Sequence, residues 1–405
     1  MEAGYFKMSA GAVTVLPDDP LVEILSRVPA KSVCRFKCVS KAWCDLIADP
    51  DNRKKLRQPM QGLFVQTSEV SDSEVDNGCI SFSYSFTDLT VRSVPLDIDT
   101  CFSFLTEMTG IAAFMLHSCN GLILFRQHQE SSEGYIVCNP TTRQWSAVPA
   151  CGSCEGIIHT YLAFDPAVSS HFHLVQFQMP DVHFPMPCMH EDVVLLHVYS
   201  SETGTWSQNQ IDEQKEQGQL EGWHHQFTLD AVYQCAFVNS FLHLIVWGSD
   251  GKHILAVDVQ GKARRMITML RMADESQRHS ITCYLGQSQG HLHCVTIDSA
   301  DKNNDKLSTW VLQDYDTQEW VLKSTVNSLD VFGETRVTPE YQVVDIHQDC
   351  NVLFFLQQLT CELIAYNMDR KEVSVIATFK DYKFRGDFAC YVPYFSESPA
   401  LTNKH

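Results

Sequence analysis

The sequence lacks any long apolar run. Its uninterrupted apolar stretches, such as residues 193–196 and 352–356, are far shorter than the ~20 residues that a helix needs to cross a bilayer. No cationic start joined to an apolar stretch follows Met1, so we expect no secretory signal peptide. These two absences argue against the integral membrane and secreted classes. We therefore expect no membrane partner and a cytoplasmic or nuclear location.

Basic residues are scarce. Lys and Arg together number 30 against 49 Asp and Glu, which gives a formal net charge of −19. A surface this acidic repels the phosphate backbone, so we expect no nucleic-acid partner. The charge is unevenly spread: residues 12–60 carry nine basic and six acidic side chains, whereas residues 61–405 carry 20 basic and 42 acidic ones. This asymmetry predicts a domain boundary near residue 60, between a small basic head and a large acidic body.

Motifs for catalysis and cofactor binding are also missing. The sequence contains no nucleophile elbow, no phosphate-binding loop and no dinucleotide fingerprint, so we expect no cofactor and no active site. Sixteen cysteines are scattered along the chain, and many lie inside apolar runs. That placement favours buried free thiols over disulfides.

One group of residues has the spacing of metal ligands. Cys151, Cys154 and His159 lie close together in the sequence, and Cys188 and His190 would complete a set. Nothing in the sequence brings the second pair near the first. A loop with free thiols is therefore the favoured interpretation, and we expect no bound metal.

The head is predicted to contain three short helices. Asp18 or Asp19 is expected to cap the first helix, and Pro29 to end it. A second helix is predicted from residue 31 to about residue 37. Ser40 is expected to cap the third helix.

The head has more apolar side chains than it can bury. Residues 16–50 include 18 apolar residues among 35, too many for the interior of so small a unit. On the first helix Leu21, Ile24, Leu25 and Val28 recur at the spacing of one helical face. The surplus either packs on the rest of the chain or docks on another protein. The side chains predicted as internal core of the three helices are Phe36, Leu46 and Ile47.

Residues 16–43 resemble the F-box motif in its plant form. The resemblance rests on Leu16-Pro17-Asp18-Asp19, Glu23-Ile24-Leu25, Arg27-Val28-Pro29-Ala30-Lys31-Ser32-Val33, Arg35-Phe36-Lys37-Cys38-Val39-Ser40-Lys41 and Trp43. Pro20 departs from the family, which more often has an aliphatic residue at that place. The resemblance implies that this segment binds the Skp-type adaptor of a cullin-based ubiquitin ligase, the SCF complex.

In that family the Leu-Pro pair, the apolar face of the first helix and the Val-Ser-Lys-x-Trp stretch contact the adaptor. For Trp43 the sequence leaves core and interface equally open. The adaptor-binding residues that the resemblance implies here are Leu16, Pro17, Leu21, Ile24, Leu25, Val28, Pro29, Val39 and Trp43.

Five similar modules recur in the acidic body. Each consists of a strand, a polar turn and then often a tryptophan. A second β-forming run precedes each hairpin, so each repeat supplies about four strands. Equivalent positions, which follow one another at steps of 61, 58, 56 and 53 residues, are Trp145, Trp206, Arg264, Trp320 and Val373.

Four strands in about 50–60 residues are typical of a kelch-like β-propeller blade. We predict six blades, with seven as the alternative count and a pair of β-sandwiches as the alternative architecture. Residues 62–67, 80–86 and 90–94 are predicted to form a blade upstream of the five modules, and residues 391–395 a strand that closes the ring. The expected fold class is multidomain α+β, with a small all-α three-helix F-box followed by an all-β propeller.

The layout as a whole resembles plant F-box proteins with an F-box-associated domain. The pieces that match are Ser118-Cys119-Asn120-Gly121-Leu122 and the turn Asn139-Pro140-Thr141-Thr142, which precedes Trp145. The expected domains are a tail at 1–11, the F-box at 12–58, the propeller-like domain at 59–398 and a tail at 399–405. The resemblance implies a substrate-recognition subunit that binds the adaptor and, through it, a cullin. The alternative is a propeller enzyme or lectin-like ligand binder whose head is a dimerisation device.

Two insertions in the body are candidates for target binding. Residues 179–190 are rich in Met, Pro and aromatic side chains, and residues 208–226 are polar but contain a tryptophan. Loops at propeller rims often hold binding residues. The candidate target-binding residues are Met179, Phe184, Met186 and Trp223.

Three histidines hold the same place in successive repeats. They are His173, His243 and His293. A position that repeats in this way predicts a packing or hydrogen-bonding role within the blade rather than metal ligation.

Overall fold

The structure, a computed structural model, forms two compact units, Met1–Gln58 and Pro59–His405. None of the helices within the described ranges has the length and apolar composition that a bilayer crossing requires. The residues that the structure describes are 16–28, 30–56, 59–70, 80–89, 98–105, 113–128, 133–152, 157–179, 195–209, 228–229, 235–248, 251–261, 264–269, 282–298, 305–333, 341–379, 387–396 and 398–402.

The first unit is helical. Its helices are α1 (Asp18–Ser26), α2 (Ala30–Phe36), α3 (Lys41–Ala48) and α4 (Pro50–Lys55). The predicted cap of α3 is confirmed, because the Trp43 amide donates to Ser40 Oγ at 3.2 Å. The predicted cap of α1 is wrong: Pro17 occupies the N-cap position and makes no side-chain cap bond. Asp18 and Asp19 lie instead in the first turn, where their negative charge interacts favourably with the positive end of the helix dipole.

A fourth helix follows the three that were predicted. Asp49 is the C-cap residue of α3. The Asp49 carboxylate also accepts hydrogen bonds from the amides of Asp51 at 2.9 Å and Asn52 at 3.1 Å, and so caps α4. Pro50 suits the first helical position because its missing N–H has no intrahelical partner to lose. The Asp-Pro pair therefore both stops one helix and starts the next, which the sequence analysis missed.

The core of the first unit is small and filled. Leu25, Val33 and Ile47 are its buried centre. The rings of Phe36 and Trp43 meet edge to face at 5.5 Å beside it. The predicted core is thereby confirmed, and the partly buried side chains around the centre are Leu21, Val28, Phe36, Trp43, Leu46 and Leu56.

The second unit is a six-bladed β-propeller, as predicted, with one sheet per blade. Blade 1 consists of β1 (Gly62–Val70), β2 (Ile80–Asp88) and β24 (Asp387–Tyr391); blade 2 of β3 (Ala113–Cys119), β4 (Leu122–His128), β5 (Glu133–Asn139) and β6 (Gln144–Pro149); blade 3 of β7 (Ile157–Ala163), β8 (His173–Met179), β9 (Leu195–Ser200) and β10 (Thr205–Asn209). Blade 4 consists of β11 (Thr228–Leu229), β12 (Cys235–Val238), β13 (Phe241–Gly248), β14 (Gly251–Asp258) and β15 (Arg264–Thr268); blade 5 of β16 (Thr282–Ser288), β17 (His291–Asp298), β18 (Lys306–Asp314) and β19 (Glu319–Asn327); blade 6 of β20 (Tyr341–Ile346), β21 (Val352–Gln357), β22 (Glu362–Asn367) and β23 (Glu372–Thr378). A short helix, α5 (Ser328–Phe332), follows blade 5.

The ring closes through blade 1. There β24 pairs antiparallel with β1, from Gly62 opposite Tyr391 to Gln66 opposite Asp387. The closing strand was predicted at 391–395, so the prediction of closure is right, but the strand ends where it was expected to begin. Of the predicted upstream blade, the strands at 62–67 and 80–86 are present, and 90–94 lies outside the described residues. Joining both ends of the unit in one sheet removes the exposed edges that an open array would leave.

The repeated tryptophans join neighbouring blades. Trp206 Nε1 donates to the carbonyl of Pro149 in blade 2 at 2.8 Å, and Trp320 Nε1 to the carbonyl of Thr268 in blade 4 at 3.3 Å. Trp145 is buried, with 2% of its surface exposed. The repeat therefore marks one contact that recurs between outer strands. Leu401, which the sequence analysis assigned to a C-terminal tail, is buried in the core shared by blades 2 to 4.

The two faces of the propeller differ. Because strands within a blade are antiparallel, the innermost strands all begin at one face and turn back at the other. In blades 2, 4 and 5 the turns from first to second strand are tight and use the left-handed residues Asn120, Asn239 and Gln289, whereas blade 3 has the longer connection 164–172 there. We call this side the tight-turn face. The opposite side, from which the connections 180–194, 210–227 and 270–281 leave the strand ends, is called the long-connection face.

One glycine shows why the tight-turn face needs special backbone. Gly121 has φ +95°, and a Cβ placed there would lie 2.6 Å from the Val392 carbonyl oxygen. Only glycine suits both the conformation and the close approach of the C-terminal segment. This close contact with the C-terminal segment therefore explains the glycine of the Asn120-Gly121 motif.

Candidate binding surfaces

The first unit leaves part of its apolar surface uncovered. The side chains of Leu16, Ile24 and Val39 are 45%, 53% and 63% exposed, and Pro17 is exposed beside them in sequence. The core of the unit is already filled, so these side chains have no role inside it. Exposed apolar side chains of this kind favour a protein–protein contact.

The other predicted adaptor-binding residues divide differently. Leu25 is 2% exposed and belongs to the core, and Leu21, Val28 and Trp43 are partly buried around it. Pro29 lies outside the described residues. For Trp43, which the sequence left open, the structure shows contact with the core.

The apolar stripe of α1 is turned from its predicted direction. Val22, which the sequence analysis did not select, is 1% exposed, whereas Ile24 points to solvent. The reason is that α1 packs against α3 and α4, and their positions choose which side chains turn inward. The distance between apolar residues along the sequence carries no such information.

The candidate target-binding residues are grouped by the strand ends that their insertions adjoin, not by observed side-chain contacts. Met179 ends β8, while Phe184, Met186 and Trp223 lie outside the described residues. At the end of blade 3, Met179 pairs with Ile157 and Asn209 with Leu196. Both insertions therefore leave blade 3 at the same face, the long-connection face.

A cavity of about 230 Å³ lies in the central channel of the propeller. Its walls are the innermost strands of blades 1, 2, 4, 5 and 6. No lysine or arginine is among the described residues that line it. The polar lining side chains are His117, Ser118, Asn120, Cys235, Tyr284, Gln287, Gln342, Asp345, Gln348, Asp387 and Cys390.

Three of these side chains form a hydrogen-bonded group around a carboxylate. Tyr284 Oη donates to Asp345 Oδ1 at 2.9 Å, and the thiol of Cys390 donates to Asp345 Oδ2. The Ile346 amide adds a third bond at 2.7 Å. Burial raises the pKa of the Asp345 carboxyl despite these bonds, and it also raises the pKa of the Cys390 thiol. The group joins blades 5, 6 and 1.

A second group lies across the channel. His117 Nε2 and Cys235 Sγ are 3.0 Å apart, and the Leu162 amide donates to His117 Nδ1 at 3.3 Å. Because Nδ1 accepts a hydrogen bond, the proton of the neutral ring is on Nε2 and is directed at the sulfur. Burial lowers the pKa of His117 to about 4 and raises that of the Cys235 thiol well above its usual value. With both side chains neutral, the pair is better interpreted as structural than as a nucleophile with its general base. A general base needs a ring nitrogen that is free to accept a proton, and here Nε2 carries the proton while Nδ1 accepts a hydrogen bond.

The two groups together connect the whole ring. His117, Leu162 and Cys235 belong to blades 2, 3 and 4, and the Asp345 group belongs to the other three. Sequence reasoning treated the cysteines only as buried free thiols and missed both hydrogen-bonded groups. The hydrogen-bonded partners lie between 45 and 118 residues apart along the chain, so no local sequence motif predicts their contacts.

The repeated histidines occupy the same register position. His173, His243 and His293 lie opposite Ala163, Ala236 and Gly286, small residues of the innermost strand. The predicted hydrogen-bonding role is confirmed for His243, which contacts the Ala236 carbonyl at 3.2 Å and Tyr315 Oη at 3.3 Å. Burial lowers the pKa of His243 and of His293 to about 4.

The residues with metal-ligand spacing give no assembled site to describe. Cys151 is partly exposed, and His159 is buried. Cys154, Cys188 and His190 lie outside the described residues. Within the described ranges, no three His, Cys, Asp or Glu side chains are grouped as metal ligands would be.

Comparisons with known families and proteins agree with this architecture. Residues 14–55 match the F-box domain, and residues 86–398 match the family described as F-box protein At3g26010-like, beta-propeller. The chain is 25% identical to F-box protein At3g49450 of Arabidopsis thaliana over 369 residues, which cover 89% of this chain and 85% of that protein. It is 24% identical to F-box protein At5g07610 of the same plant over 314 residues, 74% of this chain and 68% of that one.

Among solved structures, a DUF4784 family protein from Bacteroides caccae superposes with a TM-score of 0.38 at 11% identity, over 81% of this chain and 73% of that one. A likeness this weak carries no argument about fold or function.

Proposed function

Because this chain belongs to the F-box proteins with an At3g26010-like β-propeller, we propose that it is the substrate-recognition subunit of an SCF-type ubiquitin ligase. The helical unit binds a Skp-type adaptor and, through it, a cullin. The propeller binds a target protein. The proposal assigns no active site to this chain.

One observation carries the proposal: the first unit keeps a filled core and still exposes Leu16, Pro17, Ile24 and Val39. All four belong to the segment that matches the F-box domain. A unit whose core is complete gains nothing in stability from exposed apolar side chains. Their burial on a partner helix, at about 25 cal/mol per Å² of apolar surface, explains why they are there.

The proposed mechanism is proximity. Holding a target and a ubiquitin-charged enzyme in one assembly makes their encounter effectively intramolecular, with a local concentration in the millimolar range for short flexible connections. The propeller needs only to bind the target long enough for transfer to a lysine. Specificity therefore lies in the propeller, and the adaptor contact is shared with other receptors.

Affinity purification from a plant cell extract tests this function. We expect the adaptor and a cullin to co-purify with the full chain and to be absent from a form that lacks residues 1–58, while the target remains bound to both. Mass spectrometry of the two samples checks this result. Adaptor and cullin that persist with the shortened form, or that never accompany the full chain, contradict the proposal.

We place target recognition on the long-connection face. The innermost parts of the blades hold the ring together, so we assign most contacts with a partner to the loops. Both candidate insertions leave blade 3 at this face. The residues proposed for target contact remain Met179, Phe184, Met186 and Trp223, because adaptable Met and rigid aromatic side chains suit an interface.

Replacing residues 179–190 with a Gly-Ser linker is expected to weaken target capture while adaptor binding persists. The thermal midpoint should change little, because the strands that flank this insertion keep their pairing. Target recovery in the pull-down and differential scanning fluorimetry measure the two effects. The matched control is a Gly-Ser replacement of residues 299–304, a polar connection on the same face. Full target recovery with the 179–190 replacement would place recognition elsewhere.

A further inference from the structure

One carboxylate that lines the channel cavity receives little hydrogen bonding from the part of the chain that the structure describes. Among the described residues, the Asp387 side chain takes one hydrogen bond, from Gln66 Nε2 at 3.4 Å, which is longer than a good N–H···O bond. Gln66 is held in this orientation because its Oε1 accepts the Met115 amide at 2.6 Å. Burial raises the pKa of the Asp387 carboxyl, and the hydrogen bond from Gln66 offsets part of that rise.

Asp345 and Asp387 differ in the number of hydrogen bonds that the described residues give them, and we assign them different roles for that reason. Asp345 accepts three hydrogen bonds from its own surroundings and holds blades 5, 6 and 1 together. Asp387 has no such set, although it lines the same cavity. The first is a structural acid, and the second has acceptor capacity that a ligand can use.

The position of Asp387 makes it reachable. It is the first residue of β24, and the innermost strands begin at the long-connection face. Gln342, the second residue of β20, is exposed and lines the cavity at the same end. We call this end of the channel, which lies at the face to which we assign target recognition, its mouth.

The charge and size of the cavity restrict its occupant. Its described lining has two carboxylates and neither lysine nor arginine, inside a body with 20 basic and 42 acidic residues. This field attracts a cation and repels phosphate or carboxylate ligands. A space of about 230 Å³ holds one long side chain rather than a folded segment.

A guanidinium fits this lining better than an ammonium. Its planar fork donates two parallel bonds to a carboxylate and has further N–H groups for an amide oxygen such as that of Gln342 at the same end. It is also more weakly hydrated than an ammonium, so it loses less on leaving water.

We propose that the channel is a receptor for an arginine side chain of the bound target, whose guanidinium pairs with Asp387 at the mouth. Only the statement that the arginine belongs to a target rests on the proposed function. The binding of the side chain itself rests on the cavity.

The test uses the full chain and three capped tripeptides, Gly-Arg-Gly, Gly-Lys-Gly and the neutral isostere Gly-citrulline-Gly, followed by saturation-transfer NMR titration. The arginine peptide is expected to bind saturably and the citrulline peptide about tenfold or more weakly, since only the first brings a charge to a buried partner. Asp387→Asn is expected to remove most of this difference. Glu319→Gln, which removes one charge from the exposed outer strand β19, is the matched control and should leave binding unchanged.

A second variant keeps the test decisive if Asp387→Asn is poorly folded. Gln342→Lys puts a resident cation at the mouth and is expected to block the arginine peptide while Asp387 is intact. Equal binding of the arginine and citrulline peptides, equal binding to wild type and to both mouth variants, or no saturable binding would overturn the proposal. Equal binding of the lysine peptide would overturn the assignment to arginine.

The adaptor assay separates this inference from the proposed function. Asp387→Asn is expected to bind the Skp-type adaptor as the wild type does, because the substitution lies in the second unit. If the chain binds the arginine peptide but not the adaptor, the proposed function fails and the channel site stands. If it binds the adaptor but no peptide, the channel site fails alone.

Discussion

Replacing Leu16 and Pro17 together with alanine is expected to weaken binding of the Skp-type adaptor by about 30- to 1,000-fold, which corresponds to about 2–4 kcal/mol for interface anchors. Leu16 is 45% exposed, and Pro17 precedes α1 without a side-chain cap bond, so neither supports the internal core. The loss should therefore appear in binding and not in folding. Isothermal titration of the full chain with recombinant adaptor measures it.

Two further variants control this measurement. Leu359→Ala removes a leucine of similar exposure, 54%, from the propeller and is expected to leave adaptor affinity unchanged. Leu25→Ala removes a core side chain of the first unit and is expected to cost about 2–5 kcal/mol of stability, visible as unfolding of that unit. Wild-type affinity in the Leu16/Pro17 double variant would refute the assignment of these two residues.

Lowering the pH from 7 to 4 is expected to unfold the propeller. His117, His243 and His293 are held neutral by burial, with pKa values of about 4, whereas an unfolded chain binds the same protons with a pKa of about 6.5. Between these values the unfolded state binds more protons, so stability is full above about pH 6.5 and is lost as the pH falls toward 4. Each group contributes up to about 3 kcal/mol. The raised pKa of Asp345 acts in the opposite direction and offsets part of the loss.

Thermal midpoints at pH 7, 5.5 and 4.5 measure this acid sensitivity. His243→Asn retains an N–H for the Ala236 carbonyl but does not titrate, so its midpoint should fall less steeply with pH than that of the wild type. His291→Asn replaces an exposed histidine on β17 and should follow the wild-type curve. A midpoint that does not change between pH 7 and 4.5, or equal slopes for wild type and His243→Asn, would refute this account.

Local signals were enough to predict the helices and the blades. Ser40 caps α3 because its hydroxyl meets an amide only three residues away. The repeated hairpin with its tryptophan predicts blades because each blade must contact its neighbour. Trp206 and Trp320 make such contacts. The tryptophan contacts recur at similar offsets along the chain, 57 and 52 residues, so a single sequence displays them as a repeat.

Packing decided what periodicity left open in the first unit. The spacing of Leu21, Ile24 and Leu25 shows that α1 has an apolar side. It does not show where the centre of that side lies, because a stripe about 100° wide admits several directions. Contact with α3 and α4 turns Val22 and Leu25 inward and leaves Ile24 outside. The fourth helix was missed for a related reason, since Asp49-Pro50 serves as both an end and a start.

The central channel could not be predicted from the sequence, because its contacts join residues that are far apart along the chain. His117 meets Cys235, 118 residues away, and Asp345 meets Cys390 only when β24 has closed the ring against β1. A hydrogen bond between innermost strands depends on the number of blades and on their tilt, and no local sequence pattern determines either quantity. Composition and repeats therefore determined the kind of fold and its acidic charge, whereas ring closure brought Asp387 into the lining of the central cavity.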